Sequence, residues 1–201
     1  MSQSPIVEEN RNSVGAKPAH EVFWGEIAPC EHVLQIYGED NVFLDALEGF
    51  VSEGLHGNES VIVIATNQHL SGLEERLMKG GHNLNTARAT DLYIELNAEE
   101  TLAKFMVEGW PDDRLFEQLV GKLLLRARKA ARKVRAFGEM VALLWANGNN
   151  GATVRLEHLW NRVLARESFP LFCAYPRTGF TQDAETSMRE ICAMHSRVIS
   201  G

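Results

Sequence analysis

Cysteine is scarce in this chain. Three occur among 201 residues, at positions 30, 173 and 192. They are odd in number and widely spaced, and no CxxC pair occurs. That usage offers neither a disulfide framework nor a zinc-ribbon spacing, and it fits a reducing cytoplasm. No apolar run reaches the length of a membrane span. The first residues, MSQSPIVEENRNS, lack the apolar core of a signal peptide. Positive charge is also in deficit. Twenty Lys and Arg stand against 27 Asp and Glu, a formal net charge of −7. This argues against nucleic-acid binding through overall charge.

Phosphate-binding motifs are missing too. A P-loop needs G-x-x-x-x-G-K-[ST] between a strand and its helix. The slot after the first strand candidate holds Tyr37-Gly38-Glu39-Asp40-Asn41, with one glycine, no lysine and two carboxylates. Those carboxylates would repel a triphosphate where a P-loop supplies N–H groups and a cation. Nucleotide hydrolysis is disfavoured on that ground. No GxSxG, HExxH or GxGxxG occurs, and no nucleophile–base pair or metal set is visible. The expectation is a non-enzyme with no cofactor and no metal.

The composition is that of an ordinary globular protein, 45% hydrophobic and 23% charged. Residues 1–20 read as a disordered polar tail and residues 21–201 as one domain. HVLQIY (32–37), SVIVIA (60–65), a weaker run over 91–96, VRAF (134–137) and FPLFCAY (169–175) read as strands. Amphipathic helical patterns separate them: from Asp40 to about Leu55, to about Lys79, over 98–106, over 112–133, from Glu139 to Trp145, and around 154–164. The last segment, 183–199, carries Met188, Ile191, Cys192, His195 and Val198 and also reads as a helix. Trp110-Pro111 falls in a break between helices and reads as a lid or an interface element. The alternation predicts a three-layer α/β domain, with a mostly parallel sheet and helices on both faces.

The stretch VRAFGEMVALLW (134–145) organises the rest. It reads as strand, turn and helix, which puts Glu139 at the carboxyl end of a strand and in the first turn of a helix. Ligands of open parallel sheets bind at that edge, and a carboxylate also suits a helix N-terminus. Glu139 is therefore either a cap or a site residue.

Five stretches, HVLQIYGEDNVFLDALEGFVSEGL, VIVIATNQHLSGLEERL, RAFGEMVALLWANGN, LEHLWNRVL and FPLFCAYP, together resemble the MEDS domain. That is the sensory domain named for methanogens, methylotrophs and the regulator DcmR. The resemblance spans roughly His32 to Pro176. It implies a RecA/KaiC-like fold without Walker motifs. It also implies a sensor of a small molecule such as a simple hydrocarbon derivative, acting with a regulatory protein such as a histidine kinase or transcription regulator. No kinase core or helix-turn-helix is evident, so the chain reads as a stand-alone version; self-association stays open.

On this reading four strand ends converge on one edge. They carry Tyr37 and Glu39, Thr66 and Asn67, Glu139, and Cys173 and Tyr175. Aromatic, hydroxyl, thiol and carboxylate groups together suit a small polar–apolar ligand. The alternative is that these residues cap helices and satisfy buried backbone, leaving a protein-interaction module with a vestigial pocket. His32 and His195 read as structural or exposed, Cys173 as an inert core thiol, and Trp145 and Trp160 as core. The basic run Lys122–Arg135 reads first as a solvated helix face, second as a docking patch for an acidic partner.

Overall fold

The computed structural model describes residues 17–18, 22–179 and 185–200. Apart from Lys17 and Pro18, the tail over 1–20 lies outside them. The strands are β1 (Lys17–Pro18), β2 (His32–Tyr37), β3 (Ser60–Ala65), β4 (Tyr93–Asn97), β5 (Met106–Val107), β6 (Trp110–Pro111), β7 (Val134–Gly138), β8 (Leu171–Pro176) and β9 (Arg197–Ser200). The α-helices are α1 (Asp40–His56), α2 (Asn67–Lys79), α3 (Leu84–Ala89), α4 (Ala98–Ala103), α5 (Asp113–Ala127), α6 (Met140–Ala146), α7 (Asn150–Glu167) and α8 (Glu185–Ala193). Seven strands form one sheet in the order β1-β9-β2-β8-β7-β3-β4, and every ladder in it is parallel. The central strands β3, β7 and β8 are buried on both faces, which is why they read as apolar almost throughout, with Arg135 in β7 the charged exception.

Strand parity sorts the core into two layers. Val33, Val61, Val63, Phe137 and Phe172 pack against α1 and α2. Leu34, Ile62, Ile64, Ala136, Leu171 and Cys173 pack against α4 to α8. The three-layer α/β expectation holds, and Trp145 and Trp160 are core residues at 2% exposure each.

The first layer closes over a cation. Arg135 lies mid-strand in β7 on the α1 face and is buried. It bonds to Glu59 Oε2 at 2.5 Å and to the Phe50 carbonyl at 2.9 Å. Helix α1 must come close to make this possible, and Gly54 lets it. A Cβ there would sit 2.6 Å from Val61 Cγ2 and 2.7 Å from Arg135 Cδ. Gly54→Ala should therefore cost about 1–3 kcal/mol by overpacking, despite alanine's better helix propensity. Urea unfolding of the variant checks this; an unchanged or raised midpoint contradicts it.

Three readings need correction. The 183–199 segment is not one helix: α8 stops at Ala193 and the chain turns into β9. The open edge of β2 takes that strand, and the His32 carbonyl accepts from Ser196 N–H at 2.8 Å. Val198 and Ile199 are β-branched and suit the ladder. The helix over 98–106 ends at Ala103, and Met106 to Pro111 make a small antiparallel hairpin. Trp110 stands half exposed, with its ring beside Gly151 at the start of α7. The helix over 112–133 ends at Ala127, and Ala130 and Ala131 take positive φ. The basic run around that end is largely paired: Arg126 and Lys129 with Asp91, Arg128 with Glu167. Among the described residues no helix is long and apolar enough to cross a membrane.

Candidate functional site

Adjacent strands β3 and β7 send their helices to opposite faces, α2 to one layer and α6 to the other. Such a divergence opens a crevice beyond the carboxyl ends of the strands. Glu139 occupies it. The residue follows the β7 terminus at Gly138, and its N–H donates to the Ile64 carbonyl of β3 at 2.9 Å. Its side chain makes no bond to the first turn of α6. Instead Oε2 accepts from Thr66 N–H at 2.9 Å, and Oε1 accepts from His69 Nδ1 at 2.7 Å. Glu139 thus bridges the crevice from one diverging strand to the other.

Thr66 is the N-cap of α2, accepting from His69 N–H at 3.4 Å. That turn fixes His69 in the first turn of α2, against the edge of the Phe43 ring at 4.9 Å. Asp40 at the start of α1 brings a carboxylate oxygen to 4.0 Å from His69 Nε2. Tyr37 stacks on Phe43 at 4.8 Å. Burial, reinforced by the charges of Glu139 and Asp40, pushes the Tyr37 phenol well above its ordinary range, so it stays a hydrogen-bond donor. For His69, burial alone lowers the pKa. The Glu139 hydrogen bond and charge and the Asp40 charge outweigh it, and the net shift is upward. The edge therefore presents an imidazolium-favouring His–Glu pair beside a neutral phenol.

A pH consequence follows with a definite sign. A raised folded-state pKa adds stability that is full below the unfolded value of 6.5 and is lost as pH rises through the folded value. The stability gap between wild type and His69→Gln should be larger at about pH 5.5 than at about pH 9. Urea titrations at the two pH values check it; a gap that widens toward alkaline pH contradicts it.

The seven residues expected at this edge do not form one cluster. Tyr37, Thr66 and Glu139 come together. Glu39 and Asn67 stand exposed at the rim, where Asn67 Oδ1 accepts from Asn97 Nδ2 at 2.9 Å. Cys173 and Tyr175 point to the other layer, because alternate residues of a strand face opposite ways. There they join a second buried cluster, described next. An open groove of about 530 Å³ lies on the outer surface between α1 and α2, lined in part by Asn41, Leu44, Gly72 and Arg76.

The second cluster sits between β2, β8 and the α7–α8 layer. Tyr175 Oη donates to Glu157 Oε1 at 2.5 Å. His32 Nε2 lies 3.4 Å from Cys173 Sγ and 3.5 Å from Glu157 Oε2. His195 Nε2 lies 3.6 Å from Glu157 Oε1, and the two imidazole rings are 3.9 Å apart. Burial lifts the Glu157 carboxyl, and burial with the neighbouring Glu157 charge lifts the Cys173 thiol well above its ordinary range. Burial and His195 push the His32 imidazole well below its own. Sequence reasoning passed over Glu157, although a signal existed. Thr153, Leu156, Glu157, Trp160 and Leu164 share one buried helical stripe, and a carboxylate in that stripe needs partners.

The family model for the methanogen/methylotroph, DcmR sensory domain (MEDS) matches residues 31–196. The chain belongs to the MEDS family. Its role is accordingly sensory or signalling. The matched span holds both clusters, from His32 to His195. A solved structure from Pyrococcus horikoshii OT3 shares the fold, with a TM-score of 0.57, 12% identity, and coverage of 91% of the MEDS chain and 87% of its own. None of the curated proteins compared with the sequence matches it.

Proposed function

We propose that this MEDS domain is a non-catalytic sensor that binds a small molecule at the crevice between β3 and β7 and passes its state to a regulatory protein. One observation carries the reading. A buried carboxylate and a nearly buried imidazole pair at 2.7 Å where two helices part, and neither caps the helix that Glu139 begins. A small polar–apolar guest that competes for either group would loosen the bridge between the β3 and β7 ends. That change moves α2 relative to α6, and a histidine kinase or transcription regulator docked on either helix would read it. The family's sensory role and the neighbouring Tyr37 and Phe43 rings, which suit a simple hydrocarbon derivative, support the choice of guest.

The test is thermal unfolding of wild type and Glu139→Gln with a panel of short-chain alcohols, amines and halides. A ligand of the native state raises the melting temperature by mass action. At least one class should do so in wild type and not in the variant. Equal shifts in both proteins, or none in either, would favour an interaction module whose crevice takes no ligand.

A further inference from the structure

We propose that His32, Glu157, Cys173 and His195 form a binding site for one divalent metal ion of the zinc class, buried between the sheet and the α7–α8 layer. This goes beyond the sensory reading and concerns the opposite face of the sheet. One donor atom from each of the four residues lies within 4.8 Å of the other three, and all four residues are buried. Zinc bonds to sulfur, nitrogen and oxygen of about 2.0–2.3 Å place tetrahedral ligands roughly 3.3–3.8 Å apart. The 3.4 Å separation of His32 Nε2 and Cys173 Sγ already falls in that range, and so do the 3.5 Å from His32 Nε2 to Glu157 Oε2 and the 3.6 Å from His195 Nε2 to Glu157 Oε1, so a small turn of one carboxylate completes the set.

The surrounding hydrogen bonds fix the ligands for this task. His32 Nδ1 bonds to Asn161 Oδ1 at 3.0 Å, and Asn161 Nδ2 donates in turn to the Met194 carbonyl at 3.1 Å. His195 Nδ1 bonds to the Ile191 carbonyl at 2.6 Å. Since both partners are oxygen acceptors, both histidines carry their proton on Nδ1 and turn the Nε2 lone pair inward. Outer partners of this kind accompany metal-bound histidine almost without exception. Glu157 Oε2 and His195 Nε2 have no hydrogen-bond partner among the described residues, although both are buried. Inward lone pairs facing a carboxylate and a thiol, with nothing donated between two of them, describe a cation site.

The donor set selects the ion. A thiolate and two imidazoles exclude calcium and magnesium, which take oxygen. Four protein ligands with no open position make the site closed, hence structural or regulatory and not catalytic. On binding, the Cys173 S–H bond breaks and its proton leaves to solvent, the Glu157 carboxylate donates through one oxygen, and metal–sulfur and metal–oxygen bonds form. Nothing is oxidised or reduced, and the thiolate and carboxylate together offset the two charges of the ion. The ligands come from β2, α7, β8 and the α8–β9 junction, so the ion would tie the C-terminal strand to the body.

The experiment uses the full chain, purified without a histidine tag, stripped by chelator and titrated with zinc against a chromophoric competitor. A parallel titration uses cobalt. One equivalent of zinc should bind, with a raised melting temperature. Cobalt should give the visible bands of a four-coordinate centre and a near-ultraviolet thiolate charge-transfer band. Cys173→Ser should abolish that band, and Glu157→Gln should weaken zinc at least about 10-fold. His82→Gln, at the separate His56–His82 surface pair, should leave zinc affinity unchanged. The wild-type cobalt spectrum needs no variant to fold: no thiolate band, or zinc affinity lost in His82→Gln and kept in Glu157→Gln, overturns the proposal. Glu139→Gln should bind zinc as wild type does, so failure here and failure of the crevice reading are separable.

Discussion

Arg135→Ala should destabilise the fold by about 3–5 kcal/mol, the range for removing one partner of a buried ion pair. Arg135 is 4% exposed, and its guanidinium serves three acceptors from three segments: Glu59 Oε2 at 2.5 Å, Phe50 O at 2.9 Å and Trp24 O at 3.4 Å. It also lies 5.1 Å from the Phe50 ring centre. Alanine would leave the half-buried Glu59 carboxylate without its cation, remove a second donor from the Phe50 carbonyl of α1, and leave a hole beside Gly54. For a domain of this size the melting temperature should fall by roughly 10 °C. Arg135→Lys keeps the charge but not the planar fork, so it should recover only part of the loss. Paired removal, Arg135→Met with Glu59→Gln, should cost less than Arg135→Ala alone, because no charge is left unpaired. Urea unfolding of the four proteins measures all three statements. A loss under about 1 kcal/mol for Arg135→Ala would mean solvent reaches the pair and the buried-pair range does not apply.

Glu139 should separate stability from sensing. Glu139→Ala leaves the Thr66 N–H and His69 Nδ1 without their acceptor in a nearly buried place, at a cost of about 2–3 kcal/mol. Glu139→Gln keeps an oxygen for Thr66 and a polar head for His69, and should cost about 1 kcal/mol or less. The charge, however, is gone. The His69 pKa should then drop below its wild-type value, because the largest opposing influence to burial has been removed. Imidazole titration by NMR reads that drop directly. An unchanged His69 pKa in Glu139→Gln would show that Asp40 holds the imidazolium, and would remove Glu139 from the centre of the edge.

Much of the fold was legible because parallel strands buried on both faces announce themselves. SVIVIA and FPLFCAY have no other comfortable place. The position of Glu139 followed from the same logic, since a strand–turn–helix stretch puts the turn at the sheet's edge. What escaped was everything that depends on strand parity or on distant partners. Cys173 and Tyr175 share the β8 end with the edge, yet point away from it. Arg135 read as the tail of a basic run and is instead a buried cation under α1. His69 gave no signal beyond following Thr66 by three residues. Positions 32, 157, 173 and 195 lie in four segments, and no spacing rule joins them. Val198 and Ile199 continued a helical period, and only the open edge of β2 made them a strand.

We propose that a small molecule is sensed at the β3–β7 crevice. Amide chemical-shift mapping on the isotopically labelled chain, titrated with methanol, methylamine and dichloromethane in turn, tests it most directly. Saturable shifts centred on Thr66, His69, Glu139 and Met140 are expected for at least one compound, and their loss in Glu139→Gln. Shifts confined to the α1–α2 groove around Gly72 and Arg76, or no saturable shift with any compound, would contradict it.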